Sequence, residues 1–179
     1  VATTLCTDSR KLKAGDVFVA LRGENFDGHT FIEEAARRGA VAAICEEAPA
    51  NLPVGYMVIR VPDTLKALQQ VASGYRQTLG LKVINITGSN GKTSTKDLTA
   101  GVLSERLQVS KTEGNFNNHI GLPLTMLRAG KSDQIGVWEI GMNHEGEIAP
   151  LAALARPDVG IITNIGTAHI EYLGSREAI

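Results

Sequence analysis

At 179 residues the chain has room for one large or two small domains, and with 43% hydrophobic and 21% charged residues it can build a sizeable core. A net charge of −1 excludes broad electrostatic attraction to nucleic acid or an anionic membrane, so any anion must be recognised locally. No apolar run reaches the length of a membrane span, and the opening stretch from Val1 to Asp8 is not a signal peptide.

Cys6 and Cys45 lack metal-ligand spacing. Cys45 closes an apolar run and reads as a buried thiol, which suits a reducing, cytoplasmic setting. The chain starts without Met and stops at Ile179, so a piece of a longer protein is expected, incomplete at both ends.

In chain order, the polar Thr7-Asp8-Ser9-Arg10 precedes a turn and an apolar strand over 17–21. The stretch 22–29 is a loop by composition. Thr30 with Glu33 resembles a capping box for a helix over 31–38, which Gly39 ends. A strand over 40–45, a proline-bearing loop and a strand over 56–61 follow. Asp63 caps a helix running to about residue 79 (the pattern turns Leu65, Leu68, Val71 and Ala72 inward). These elements make a small α/β domain over 1–79.

A second domain over 80–179 opens with the central motif. The apolar strand 83–86 runs through Gly88-Ser89-Asn90-Gly91 into Lys92-Thr93-Ser94 and a helix with apolar positions at Leu98, Val102, Leu103 and Leu107. This is a phosphate-binding loop. Glycines let the backbone approach an anion, N–H groups at the helix start point at it, Lys92 adds positive charge, and the Thr93 hydroxyl suits Mg²⁺. Only two residues separate Gly88 from Gly91-Lys92, where the general loop has four.

A short strand over 108–111, a polar loop over 112–119, a helix over 121–127, a strand over 135–140, a helix over 146–155 and a strand over 159–165 complete the reading. Alternating strands and helices imply a parallel sheet with ligands at the strands' carboxyl ends. Glu139 ends one such strand, as a solvated acid or as the acid facing Mg²⁺. His169 follows the next strand, as a structural histidine or a ligand; imidazole would admit an ion softer than Mg²⁺. The 113–119 loop is a plain turn or a cradle of amides for a polar substrate. Trp138 reads as core, Asp8 with Arg10 as a surface ion pair, and His29, His119 and His144 as surface or loop histidines.

Together these motifs resemble the Mur ligases of peptidoglycan precursor synthesis. The short loop from Thr87 to Ser94 is similar to theirs. So are the segments Thr112 to Pro123, Glu139-Ile140-Gly141-Met142-Asn143 and Thr163 to Gly174, which look most like the ligase acting last. The front segment, with Thr7 to Arg10 and Asp27-Gly28-His29, resembles a UDP-binding domain.

The resemblance implies a UDP-binding α/β domain followed by the first part of a parallel-sheet ATPase domain. It places ATP phosphates on Gly88, Ser89, Asn90, Gly91, Lys92, Thr93 and Ser94, with Lys92, Glu139 and His169 catalytic. Thr93, Glu139 and His169 would face the metals. The substrate would be held by Thr7, Ser9, Glu24, Asn25, Phe26, Asn115 and Asn118, the roles of the last two being interchangeable at this level. The implied reaction uses ATP and Mg²⁺ to activate the carboxylate of a UDP-N-acetylmuramoyl-tripeptide as an acyl phosphate, which the amine of D-alanyl-D-alanine attacks. A cytoplasmic monomer is expected, and turnover by these residues alone is not, because the family's carbamylated lysine follows the His169 segment. Two alternatives stand beside it: a folylpolyglutamate synthase-like ligase, and a module that binds nucleotide or UDP-sugar without catalysis.

Overall fold

The computed structural model describes residues 4–23 and 26–166. The chain divides into two compact units, Val1–Gln70 and Val71–Ile179. In the first, β1 (Leu5–Cys6), β2 (Val17–Val19), β5 (Ala42–Cys45) and β6 (Met57–Arg60) form a parallel sheet in the order β1-β2-β5-β6. Between β2 and β5 lie β3 (Arg22–Gly23), β4 (Phe26–Asp27) and helix α1 (Ile32–Arg37). Phe18, Ile32, Ala35, Ala43 and Cys45 form the core, with Cys45 fully buried as the sequence predicts.

Two local expectations need correction here. The stretch 22–29 is not all loop, since β3 and β4 pair antiparallel, Arg22 opposite Asp27. The helix start is held by Asp27, not Thr30: its carboxylate accepts the His29 N–H and opens a 3-10 turn over Gly28–Phe31. Asp27 competes better because an ionised acceptor makes the stronger bond to a backbone N–H. Thr30 instead donates its hydroxyl to Asp27 O at 2.8 Å. His29 is no surface residue either. Its side chain is 9% exposed; Nδ1 lies 2.7 Å from Asp27 Oδ1, and Nε2 accepts the Glu46 N–H at 2.9 Å.

Helix α2 (Thr64–Thr78) starts as predicted, with Asp63 Oδ1 accepting the Lys66 N–H at 2.8 Å. Leu68 and Ala72 are buried, but Val71 is 43% exposed and faces outward, contrary to the pattern.

In the second unit, β7 (Lys82–Thr87), α3 (Lys92–Ser104), β8 (Val109–Lys111), α4 (Gly121–Arg128), β9 (Ile135–Glu139), α5 (Ile148–Ala155) and β10 (Val159–Ile162) alternate. The sheet is parallel, in the order β10-β7-β9-β8. The chain leaves β7 toward β8 and later returns past it to β10. The strand order therefore reverses at β7, and the crevice beyond its carboxyl end is where such a sheet takes a ligand. Val83, Leu122, Met126, Trp138, Ile140 and Leu151 pack on one face, and Ile86, Ala100 and Val137 on the other. Trp138 is fully buried, as expected of core. Leu98 and Val102 on α3 are more than 70% exposed and add nothing to the core, and Leu107, expected on the same helix, lies beyond its end at Ser104.

Candidate nucleotide-binding site

The site is built at the carboxyl ends of β7 and β9, where the register sets Glu139 beside Ile86. Gly88 turns the chain with φ of +133°, a conformation side chains rarely adopt. A Cβ at Gly88 would run into the Thr163 hydroxyl and lie 3.0 Å from Asn164 O. Gly91, with φ of +78°, is the residue before α3. The N–H groups of Lys92, Thr93 and Ser94 open that helix and have no acceptor within it, so the first turn presents donors and the positive end of the helix dipole.

The loop is held from the far side by the segment after β10. Asn164 O accepts the Ser89 N–H at 3.0 Å, and Asn164 Oδ1 accepts the Asn90 N–H at 2.9 Å. Thr163 donates its hydroxyl to Asn90 O at 2.5 Å, and Gly166 N–H donates to Ser89 Oγ at 2.9 Å. Lys92 folds back along the loop, its Nζ donating to Gly88 O at 2.6 Å.

Three side chains converge next to it. Thr93 Oγ1 donates to Glu139 Oε2 at 2.9 Å, and Asn117 Nδ2 donates to Glu139 Oε1 at 2.7 Å. Glu139 is only 3% exposed. A carboxylate so buried is costly unless its oxygens are occupied, and here both are. The solvated-acid reading of Glu139 is therefore set aside. Thr93 and Glu139 offer the hard oxygen donors that Mg²⁺ takes, so the residues present fit that ion. Among the described residues no three His, Cys, Asp or Glu side chains converge as a metal cage.

Asn118 caps a helix from the same loop. Its Oδ1 accepts the N–H groups of Ile120 and Gly121, at 3.1 and 2.8 Å, anchoring the start of α4. Asn115 is exposed in the same loop, and Ser94 is exposed on the first turn of α3. Asn117, passed over in the sequence, is the amide that reaches the carboxylate. Its only signal was membership of an Asn-rich loop. His169, Glu24 and Asn25 lie outside the described residues.

The first unit holds a separate feature, a cavity of about 480 Å³ lined by Thr7, Ser9, Phe18, Phe26, Phe31 and Glu34, with Asp8 and Arg10. Thr7, Ser9 and Phe26, singled out in sequence, all border it. Phe26 and Phe31 stack with centroids 5.8 Å apart, giving an aromatic wall suited to a flat ring. Arg10 grips Asp8 through Nε and Nη2, at 2.9 and 3.0 Å, and this hydrogen bonding holds the Asp8 carboxyl below the usual range.

A parallel α/β sheet whose reversal point carries a glycine turn, a lysine and a hydroxyl beside a buried carboxylate has the form of a phosphate-binding loop. Residues 86–179 match the Mur ligase middle domain, and residues 2–76 match the model described as Mur ligase family, catalytic domain. The chain belongs to the Mur ligase family. It is 51% identical to the UDP-N-acetylmuramoyl-tripeptide–D-alanyl-D-alanine ligase of Bacillus subtilis and 47% to that of Synechocystis, over 98% of the chain in each case. MurF from Acinetobacter baumannii superposes with a TM-score of 0.92 at 39% identity, over 97% of this chain and 38% of that one. Thermotoga maritima MurF, solved in complex with ADP, gives 0.89 at 38% identity, over 99% and 41%. The chain spans 38% of the length of the two curated relatives.

Proposed function

We propose that these residues form the UDP-binding part and the phosphate-loop part of an ATP-dependent UDP-N-acetylmuramoyl-tripeptide–D-alanyl-D-alanine ligase. One observation carries the reading: beside the loop that Lys92 lies along, the Thr93 hydroxyl donates to the buried Glu139 carboxylate at 2.9 Å. The identity to ligases of that name and the likeness to a MurF solved with ADP support it.

Substrate carboxylate and triphosphate repel each other, so a ligase of this kind must neutralise and align them. Lys92 supplies a cation and the first turn of α3 supplies N–H donors, while Thr93 and Glu139 would hold Mg²⁺, which adds further positive charge at the phosphates. The terminal carboxylate of the tripeptide attacks the γ-phosphorus and ADP leaves. The amine of D-alanyl-D-alanine then attacks the acyl carbon, and inorganic phosphate and a proton leave as the amide forms. The aromatic cavity of the first unit would hold the uridine end, between Phe26 and the polar Thr7 and Ser9.

The reading includes a cytoplasmic, monomeric enzyme of peptidoglycan synthesis, serving cell shape and division. Two cysteines free of disulfide accord with a reducing compartment, and among the described residues no helix is long and apolar enough to cross a membrane. For the ligase containing this chain, mass spectrometry should detect the pentapeptide product and ADP in equal amounts, both lost in Lys92→Ala. Product formation undiminished by that substitution would refute the assignment. For the chain by itself the proposal is binding, read by calorimetry with Mg²⁺-ATP and with UDP.

A further inference from the structure

Lys96 is a buried cation one helical turn beyond Lys92 and Thr93, and the chemistry above gives it no part. It is 3% exposed. Its Nζ donates to Thr112 O at 2.9 Å and lies 3.4 Å from Asp97 Oδ1, a carboxylate that also pairs with Lys111 at 2.8 Å. Burying an ammonium is costly, and a neutral donor would satisfy the same carbonyl without that penalty. Stability is therefore a poor explanation for a lysine here.

What the cation holds is informative. Thr112 is fully buried at the root of the 112–119 loop, immediately after β8. Its N–H donates to Val137 O at 3.2 Å, and its hydroxyl accepts the Glu139 N–H at 2.9 Å. Further along, Asn117 closes the loop onto the Glu139 carboxylate and receives the Gly141 N–H on its backbone oxygen at 2.8 Å. The carboxylate is thus oriented from both ends of one loop, and Lys96 ties the root of that loop to the helix that begins at the phosphate loop.

We propose that Lys96 is a positioning residue for the divalent cation that accompanies the nucleotide: through Thr112 it fixes where Glu139 presents its oxygens. The inference rests on the phosphate-loop reading given under Proposed function. Lys96 touches neither metal nor nucleotide in this scheme. Its loss should weaken the cation's contribution to binding while sparing the contacts made by the loop itself.

The test uses the full chain and titration calorimetry with ADP, at a series of Mg²⁺ concentrations and in EDTA, together with Mn²⁺ binding followed by electron paramagnetic resonance. In Lys96→Met the Mn²⁺ dissociation constant in the presence of ADP should rise about tenfold or more, the usual effect of removing an outer-shell partner. Affinity for ADP in EDTA should stay within about twofold of wild type, and Lys96→Arg should recover much of the metal affinity.

Equal Mn²⁺ binding by folded Lys96→Met would overturn the proposal. So would an equal loss of ADP affinity with and without divalent ion, which would make Lys96 a phosphate contact or a general prop. Should Lys96→Met fail to fold, Thr112→Val decides. It keeps the carbonyl that Lys96 holds and removes only the hydroxyl on Glu139 N–H; a raised Mn²⁺ constant supports the relay and an unchanged one refutes it. Lys92→Ala serves as the control for the underlying reading and should lose ADP affinity in EDTA as well. If wild type binds no ADP in any condition, or Lys92→Ala binds as wild type does, the phosphate-loop reading fails and takes the Lys96 proposal with it.

Discussion

Gly88 and Glu139 show how different residues of one site announce themselves. Gly88 is legible because its role is set by backbone geometry: a glycine after an apolar strand and before Gly-Lys-Thr has few other uses. The structure adds the second reason, contact with Thr163 and Asn164 where a Cβ would sit. Gly88→Ala should therefore cost about 1–3 kcal/mol in urea denaturation and abolish nucleotide binding. A variant as stable as wild type would show that the loop tolerates a side chain. Glu139 is legible because a charged residue at the end of an apolar strand needs a reason. Asn117, Thr112 and Lys96 gave no such sign. Small polar loop residues carry no periodicity, and a lysine four positions after another on a helix reads as a solvated face until burial is known. Glu139→Gln keeps the shape and one acceptor but removes the charge. Its nucleotide affinity should lose most of its dependence on divalent ion, as read by calorimetry with and without Mg²⁺.

At the scale of elements, type and order follow from pattern, while facing follows from what each helix packs against. Helix α2 is foretold by Asp63 and by Leu68 and Ala72, yet Val71 lies at the edge of the apolar stripe and is left half-exposed. Asp63→Ala should cost about 1 kcal/mol by losing the bond to Lys66 N–H. Val71→Asn should leave the urea midpoint nearly unchanged, whereas Leu68→Ala should lower stability by about 2–5 kcal/mol. The start of α5 carries a pH dependence. Glu147 accepts the N–H groups of Asn143 and His144, and these bonds hold its pKa below the ordinary 4.5. A carboxyl depressed in the folded state stabilises fully above its unfolded pKa and loses that contribution as pH falls through the folded one. The difference in urea midpoint between wild type and Glu147→Gln should therefore be constant at neutral pH and shrink only below 4.5.

At the scale of the molecule, the two units have separate cores, and their candidate sites rely on unlike chemistry. One is an aromatic cavity lined in part by Phe26, Thr7 and Ser9; the other is a cationic loop at the reversal point of a sheet. A net charge of −1 supplies no general attraction for nucleotides, so each ligand must be held by its own local contacts. A ligand that binds only the folded protein at a hundredfold excess over its dissociation constant adds about 2.7 kcal/mol of stability. That linkage permits a cross-test of both assignments. UDP should raise the melting temperature of wild type and Lys92→Ala alike and do little for Phe26→Ala. Mg²⁺-ATP should raise wild type and Phe26→Ala and do nothing for Lys92→Ala. If Lys92→Ala instead cancels both shifts, UDP is binding at the phosphate loop. The first-unit cavity then loses its ligand, and the assignment of two nucleotides to two units fails even though the fold stands.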